Sequence, residues 1–197
     1  MRRDLVLASS APWRGQLLAQ LQLPFQQADP GLDESPWMNA SLEPEQLVTQ
    51  LALAKAKALV PRFPQALLLG ADQVAVSGDR VLGKPGSSEA AVEQLLQLSG
   101  TTHRLVTGLA LWDNREQREW TTVTTRKLQM RELSRDQAIE YVRRDSPENC
   151  AGSYRFESLG ISLFEAVDGD SSGVVGLPLM TVSGLLRRAG IDPLIES

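Results

Sequence analysis

The chain has 197 residues, of which 42% are hydrophobic and 22% charged, and these proportions are typical of one soluble domain. Its net charge of −4 gives no basic surface for a nucleic-acid polymer, so an anionic ligand needs a local basic site. No run approaches the roughly 18 apolar residues that cross a bilayer, and the apolar stretch near the start is too short for a signal peptide. The single cysteine, Cys150, allows no internal disulfide and fits a reducing compartment. We therefore expect a cytoplasmic protein that works without a membrane.

Strand-like and helix-like segments alternate along the first half of the chain, which predicts an α/β fold. The predicted elements are a strand over 5–8, helices over 13–21 and 44–60, a strand over 67–71 and a helix over 88–98. A serine of the Ser9-Ser10 pair is expected as the N-cap of the first helix, with Pro12 in its first turn. Lys55 lies at the edge of the apolar stripe of the second helix.

The second half of the chain adds two strands that pair with each other, which indicates a mixed sheet. The predicted elements are strands over 105–112 and 121–130, a helix over 134–144, a strand over 161–167 and a helix over 179–189. Ser134 and Gln137 form a capping-box pattern, and Gly190 is expected to end the last helix. No Pro/Gly/Ser linker separates blocks of different composition, so residues 1–197 are expected to form a single domain.

Asp72 closes the apolar run over 66–71, and the carboxyl end of such a strand is where α/β proteins bind ligands. Asp72 is therefore the first candidate for chemistry, and the alternative is a capping or turn aspartate. The segment Gly78 to Pro85 resembles a P-loop, but Pro85 replaces the required Ser or Thr. We interpret Gly78-Asp79 as a hairpin turn instead.

Further charged residues, together with Asp72, are of the types that act on a polyphosphate. Ser9 to Arg14 is a strand end, a small-residue loop and a helix start, a pattern that binds phosphate or simply caps a helix. Lys84 is either a point charge for phosphate or a solvated lysine. The acids Glu34 and Asp72 with the bases Arg14, Lys55 and Lys84 are the set that metal-assisted attack on a polyphosphate requires.

Several motifs in a fixed order give the chain its resemblance to a known family. They are Leu7 to Arg14, Asp33-Glu34, Lys55, Gly70 to Val74, Gly83-Lys84-Pro85 and Cys150 to Tyr154. In these the chain resembles the Maf family of nucleoside triphosphate pyrophosphatases over nearly its whole length. The resemblance implies a fold similar to the inosine triphosphate pyrophosphatases: an elongated mixed β-sheet flanked by helices, with two lobes around a central cleft. It also implies a homodimer.

The resemblance implies a role for each matching residue. Asp72 is implied as the proton acceptor, with Glu34, Lys55 and Lys84 as its catalytic neighbours. The resemblance implies that Ser9 and Arg14 bind the phosphates. It also implies that Asp72 and Glu34 are ligands of a divalent metal cation, magnesium or manganese. Gly15 stands where the family often has a second basic residue, so no double-arginine clamp is expected.

Three positions that separate branches of the family read Trp13, Gln73 and Glu157 here. The branch acting on dTTP and UTP typically has arginine, threonine and glutamine there, and this chain instead resembles the branch that hydrolyses 7-methyl-GTP. A methylated guanine carries a positive charge, which favours stacking on Trp13 and pairing with Glu157. The alternative for Trp13 is packing at the helix start.

The expected activity is therefore hydrolysis of the modified nucleotide 7-methyl-GTP to 7-methyl-GMP and pyrophosphate. One alternative is a pyrophosphatase for dTTP, UTP or another modified nucleotide. The other is a nucleotide-binding regulator of cell division without significant catalysis.

Overall fold

The computed structural model describes residues 3–38 and 41–195. Its strands are β1 (Leu5–Ala8), β2 (Phe25–Ala28), β3 (Leu67–Ser77), β4 (Arg80–Leu82), β5 (Thr102–Asp113), β6 (Arg118–Met130) and β7 (Phe164–Val167). Its helices are α1 (Pro12–Ala19), α2 (Ser35–Met38), α3 (Pro44–Ala58), α4 (Ser88–Leu98), α5 (Arg135–Asp145), α6 (Ser171–Val174) and α7 (Leu179–Arg188). Two short 3-10 segments, Ala151–Ser153 and Leu159–Leu163, precede β7.

The strands form one mixed sheet in the order β2-β1-β3-β5-β6-β7, with β4 paired to β3. β1 runs parallel to both β2 and β3, whereas the β3–β4 and β6–β7 pairs are antiparallel. The register places Ala8 opposite Gly70, so the loop after β1 starts beside the middle of β3. The predicted mixed sheet flanked by helices is confirmed.

The chain divides into two compact units. The first comprises Met1–Gln73, Thr107–Thr124 and Gly176–Ser197, and the second comprises Val74–Val106 and Thr125–Val175. A buried apolar cluster fills each unit, built around Leu7, Leu69 and Leu109 in the first and around Leu95 and Leu128 in the second. The expectations of a single domain and of a central cleft stay predictions.

Local patterns predicted several elements correctly. Gly78 has φ of +57° in the turn between β3 and β4, where glycine meets no steric penalty. The Ser134–Gln137 capping box forms at the start of α5. Two predictions were wrong in detail. The N-cap of α1 is Ala11, and Ser9 Oγ instead accepts the Ala11 N–H at 3.2 Å. The strand predicted over 161–167 begins only at Phe164, because Leu159–Leu163 forms a 3-10 segment.

Within the described ranges, no helix has the length and apolar character that a membrane crossing requires.

Candidate active site

Asp72 lies in the middle of β3 and not at the end of a strand, which corrects the prediction from sequence. The strand continues past Asp72 to Ser77 because β4 pairs with its last residues in the hairpin. The side chain is nevertheless well enclosed, since Asp72 is 7% exposed. A buried carboxylate within a strand requires charged or hydrogen-bonding partners, so Asp72 is not a turn aspartate.

Helix α3 supplies the main partner of Asp72 because it packs against β3 and β5 at backbone distance. A Cβ at Gly70 would overlap the Ala52 carbonyl oxygen, and a Cβ at Gly108 would overlap the Val48 carbonyl oxygen. Two glycines thus let the helix approach the sheet without side chains between them. As a result Lys55, one turn after Ala52, is held against the sheet and is 8% exposed.

Lys55 connects two carboxylates. Its Nζ lies 2.5 Å from Asp72 Oδ1 and 2.8 Å from Glu34 Oε1. Glu34 is in the loop before α2, and its side chain is 36% exposed. The adjacent Asp33 has a different role, because its carboxylate accepts the N–H of Ser35 at the start of α2. Of the two adjacent acids, Glu34 therefore contacts Lys55, as the sequence analysis expects, and Asp33 stabilises the start of α2.

Arg14 brings a second cation to this group. Its Nη1 donates to the Ala71 carbonyl oxygen at 3.1 Å, and its buried Nε has no hydrogen-bond partner among residues 3–38 and 41–195. Gly176, with φ of +90°, packs against the guanidinium, and a Cβ there would lie 3.3 Å from Arg14 Nη2. The loop between β1 and α1 is fixed by Gln27 Nε2, which donates to the carbonyl oxygens of Ser9 and Ala11 at 2.9 Å each.

Burial dominates the electrostatics of the site. It raises the pKa of the Asp72 carboxyl, although Lys55 and Arg14 pull that pKa down. It also lowers the pKa of the Arg14 guanidinium, against the attraction of Asp72 and Glu34. A carboxylate whose pKa rises becomes a stronger proton acceptor, which suits a general base.

Thr107 contributes a contact to this site that the sequence did not reveal. The side chain of Thr107 is fully buried on β5, and its Oγ1 accepts a hydrogen bond from Gln73 Nε2 at 2.8 Å. Gln73 Oε1 lies near Gly176, at 3.4 Å from where a Cβ would stand. The threonine fixes the carboxamide of one predicted specificity residue. Its only sequence signal was a hydroxyl inside an apolar strand.

The other predicted site residues are distributed between the two units. Trp13 is half-buried in the first turn of α1, in the same unit as Asp72. Lys84 and Glu157 belong to the second unit, and both act electrostatically on the Cys150 thiol. Burial raises the pKa of that thiol, which makes it a weak nucleophile. The roles of Trp13, Lys84 and Glu157 stay predictions.

The carboxylates of Asp72 and Glu34 fit one kind of metal site. Among residues 3–38 and 41–195 there is no group of three or more His, Cys, Asp or Glu able to hold a metal ion. An all-protein cage is therefore not formed by these residues. Magnesium, however, is commonly held by one or two carboxylates together with substrate phosphates, and the two oxygen donors around Lys55 match that pattern.

Comparisons with known proteins agree with these motifs. A family model described as "Maf-like protein" matches residues 4–189. A "7-methyl-GTP pyrophosphatase" of Chromohalobacter salexigens is 44% identical over 191 residues, covering 96% of this chain and 98% of its own. Another protein of that name from Colwellia psychrerythraea is 41% identical over 98% of this chain and 96% of its own.

One solved structure, described as a HAM1 protein from Coxiella burnetii, resembles the chain with a TM-score of 0.42 and 14% identity. The superposed part covers 71% of this chain and 95% of the Coxiella burnetii chain. The strand order and register given above describe the fold directly.

Proposed function

The chain belongs to the Maf family, and we propose that it hydrolyses 7-methyl-GTP to 7-methyl-GMP and pyrophosphate. The observation that carries the proposal is the buried Asp72–Lys55 ion pair, which the partly exposed Glu34 joins and which has Arg14 beside it. A regulator that only binds a nucleotide has no need of a buried acid whose pKa burial raises. The names of the relatives support the substrate.

Asp72 accepts a proton from the attacking water. The water oxygen bonds to the α-phosphorus while the bond between the α-phosphorus and the α–β bridging oxygen breaks. Lys55 holds the Asp72 carboxylate in one orientation through the 2.5 Å ion pair. Glu34 shares the ammonium and balances its charge. The pyrophosphate leaves with the bridging oxygen.

Arg14 and Lys84 neutralise the charge that develops on the phosphate oxygens, and the Ser9 hydroxyl adds a hydrogen-bond donor. Arg14 Nη1 donates to the Ala71 carbonyl oxygen, and this hydrogen bond holds the planar guanidinium in one orientation, which supports the role of Arg14. The lowered pKa of Arg14 leaves its charge intact, since an arginine stays protonated at neutral pH.

We propose that a divalent cation, magnesium or manganese, is held by Asp72 and Glu34 together with the substrate phosphates. When bound, it supplies Lewis acidity and charge neutralisation at the phosphates. The charge of Lys55 does not exclude this arrangement, because its ion pairs involve one oxygen of each carboxylate, Asp72 Oδ1 and Glu34 Oε1.

Base selection is assigned to Trp13, Gln73 and Glu157. An indole face attracts the positively charged ring of 7-methylguanine, and a carboxylate accepts from the two donors on guanine's Watson–Crick edge. Trp13 is half-buried and so retains accessible ring surface. Trp13→Ala is therefore expected to reduce the preference for 7-methyl-GTP over dTTP, and an unchanged preference would remove stacking from the account.

The proposal is tested by pyrophosphate release from 7-methyl-GTP, GTP, ITP, dTTP and UTP with magnesium or manganese. The expected result is a strong preference for 7-methyl-GTP that requires the metal. Preference for dTTP and UTP would refute the assignment of Trp13 and Glu157 while keeping Asp72 as the base. No release from any substrate would favour a nucleotide-binding regulator.

The homodimer and the cytoplasmic location stay predictions. Light scattering on the purified chain measures the first, and fractionation of cells measures the second.

A further inference from the structure

The last residue of α5, Asp145, is a buried carboxylate outside the active-site group. It is 6% exposed, and such a group needs close hydrogen-bond donors to remain inside the protein. Asp145 Oδ2 accepts the hydroxyl of Tyr141 at 2.8 Å, and Asp145 Oδ1 accepts the hydroxyl of Ser158 at 2.6 Å. Tyr141 lies one helical turn before Asp145, and Ser158 lies 13 residues after it in the chain.

The segment over 155–158 is tied to Asp145 at both ends. At its start, the Arg155 N–H donates to the Tyr141 hydroxyl oxygen at 2.9 Å, so Tyr141 relays the contact between Arg155 and Asp145. Arg155 Nη1 also donates to the Asp145 carbonyl oxygen at 3.3 Å. At its end, Ser158 binds the carboxylate directly, and the Ser158 N–H closes the turn on the Arg155 carbonyl oxygen at 3.1 Å.

Glu157 stands between these two anchored residues. Its Oε1 lies 3.7 Å from Arg155 Nε, so the side chain of one anchored residue also pairs with the Glu157 carboxylate. Gly160 approaches the start of this turn closely, since a Cβ there would overlap the backbone of Arg155. The backbone that carries Glu157 is thus fixed by a single buried acid and its two hydroxyl donors.

We propose that Asp145 is a positioning residue for base selection: through Tyr141 and Ser158 it fixes the turn over 155–158 and thereby aims the Glu157 carboxylate. The inference rests on the proposed function, in which Glu157 reads the base. A carboxylate on a loosened turn samples more directions, and its hydrogen bonds to the base weaken. A substrate chosen without Glu157 does not depend on this tether.

Ser158 offers the cleanest test because the residue is exposed and its hydroxyl makes the contact with Asp145. The readout is the ratio of kcat/KM for 7-methyl-GTP to kcat/KM for dTTP. Ser158→Ala removes the hydroxyl that binds Asp145, and we expect this ratio to fall about tenfold, which corresponds to about 1.4 kcal/mol. Ser158→Thr keeps a hydroxyl and is expected to keep the ratio. The value for dTTP alone should stay unchanged in both variants.

A double-mutant cycle with Glu157→Gln separates positioning from general stability. The cycle is repeated with Glu157→Ala, which removes the side chain that the tether aims: if Asp145 acts through Glu157, then Ser158→Ala has no further effect on the ratio once Glu157→Ala is present. Tyr141→Phe should behave in the same way. Additive effects, or equal losses on every substrate, would overturn the inference.

The same measurements distinguish this inference from the proposed function. A wild-type protein that releases no pyrophosphate from any substrate overturns the proposed function and the inference that rests on it. A wild-type protein that prefers 7-methyl-GTP, with a Ser158→Ala variant of unchanged ratio, overturns the inference alone.

Discussion

The ε-ammonium of Lys55 lies 2.5 Å from the Asp72 carboxylate, and both side chains are buried although they come from different elements, α3 and β3. This pair depends on close backbone packing and not on the local sequence around either residue. Ala52 and Lys55 lie on consecutive turns of α3, and Gly70 and Asp72 are two residues apart on β3. Removing the space at Gly70 should therefore disturb the pair.

We expect Gly70→Ala to destabilise the protein by about 2 kcal/mol or more, because the added methyl overlaps the Ala52 carbonyl oxygen and pushes α3 outward. Pyrophosphate release should fall with it, since Lys55 moves with the helix. Thermal unfolding and the activity assay measure the two effects. Gly184→Ala is the matched control, because no part of the described structure beyond its own stretch of helix lies within 4 Å of the added Cβ, and alanine is the better helix former. Equal stabilities for the two variants would contradict the packing account.

Asp72→Asn should reduce pyrophosphate release at least a hundredfold while the fold is kept. The sign of the stability effect follows from the raised pKa of Asp72. Since the folded pKa lies above the unfolded one, the ionised carboxyl costs stability above the folded pKa, and this cost is relieved as the pH falls toward the unfolded value. The neutral amide removes this cost, so the melting temperature at neutral pH should stay or rise. Asp79→Asn, in the exposed hairpin turn, is the control and should change neither quantity.

His103 should remain neutral far into the acid range. It is the only histidine of the chain, and burial lowers its pKa to about 4 from 6.5. Its Nε2 lies 2.8 Å from the Tyr154 hydroxyl, and the ring also packs against Phe164. Because one histidine gives one set of imidazole signals, NMR can follow its titration directly. A midpoint near 6.5 would contradict this environment.

The same histidine makes folding stability depend on pH. Its folded pKa lies below the unfolded value, so the unfolded chain binds more protons between pH 6.5 and about 4. The contribution of the neutral His103 to the free energy of unfolding is fully present above pH 6.5. It is lost as the pH falls through this range, by about 3 kcal/mol in total. Denaturant unfolding at several pH values measures this slope, and His103→Phe should remove the histidine's share of it.

Thr107 should affect substrate choice through its hydrogen bond with Gln73. Thr107→Val removes the hydroxyl that accepts from Gln73 Nε2 and keeps the size of the side chain, whereas Thr107→Ser keeps the hydroxyl. We expect the valine variant to lose about 1 kcal/mol of stability and part of the preference for 7-methyl-GTP, while the serine variant retains the preference. Identical preferences in the two variants would show that this hydrogen bond does not orient Gln73.

Local patterns predicted the parts of the fold that local forces determine. The amphipathic helix around Leu51, the hairpin at Gly78 and the capping box at Ser134 all form where their residues indicate. Asp72 was misplaced at a strand end because an acid seemed to interrupt the apolar run. The residues after it continue the strand, because Ala75, Val76 and Ser77 pair with β4.

The contacts among the candidate site residues could not be predicted from the sequence. The burial of Lys55 follows from glycines on two strands, Gly70 and Gly108, and no local pattern around Lys55 contains that information. The tether between Asp145 and Ser158 joins residues on either side of a long turn, and it appears only once the chain is folded. Non-local backbone approach and long-range hydrogen bonds are the two features that one sequence does not reveal.

The most direct test identifies the products of 7-methyl-GTP by ³¹P NMR with wild-type protein and with Asp72→Asn in parallel. The account predicts 7-methyl-GMP and pyrophosphate from the wild type, and almost no product from the folded variant. Release of orthophosphate with 7-methyl-GDP, or equal rates for the two proteins, would contradict Asp72 as the base that cleaves between the α and β phosphates.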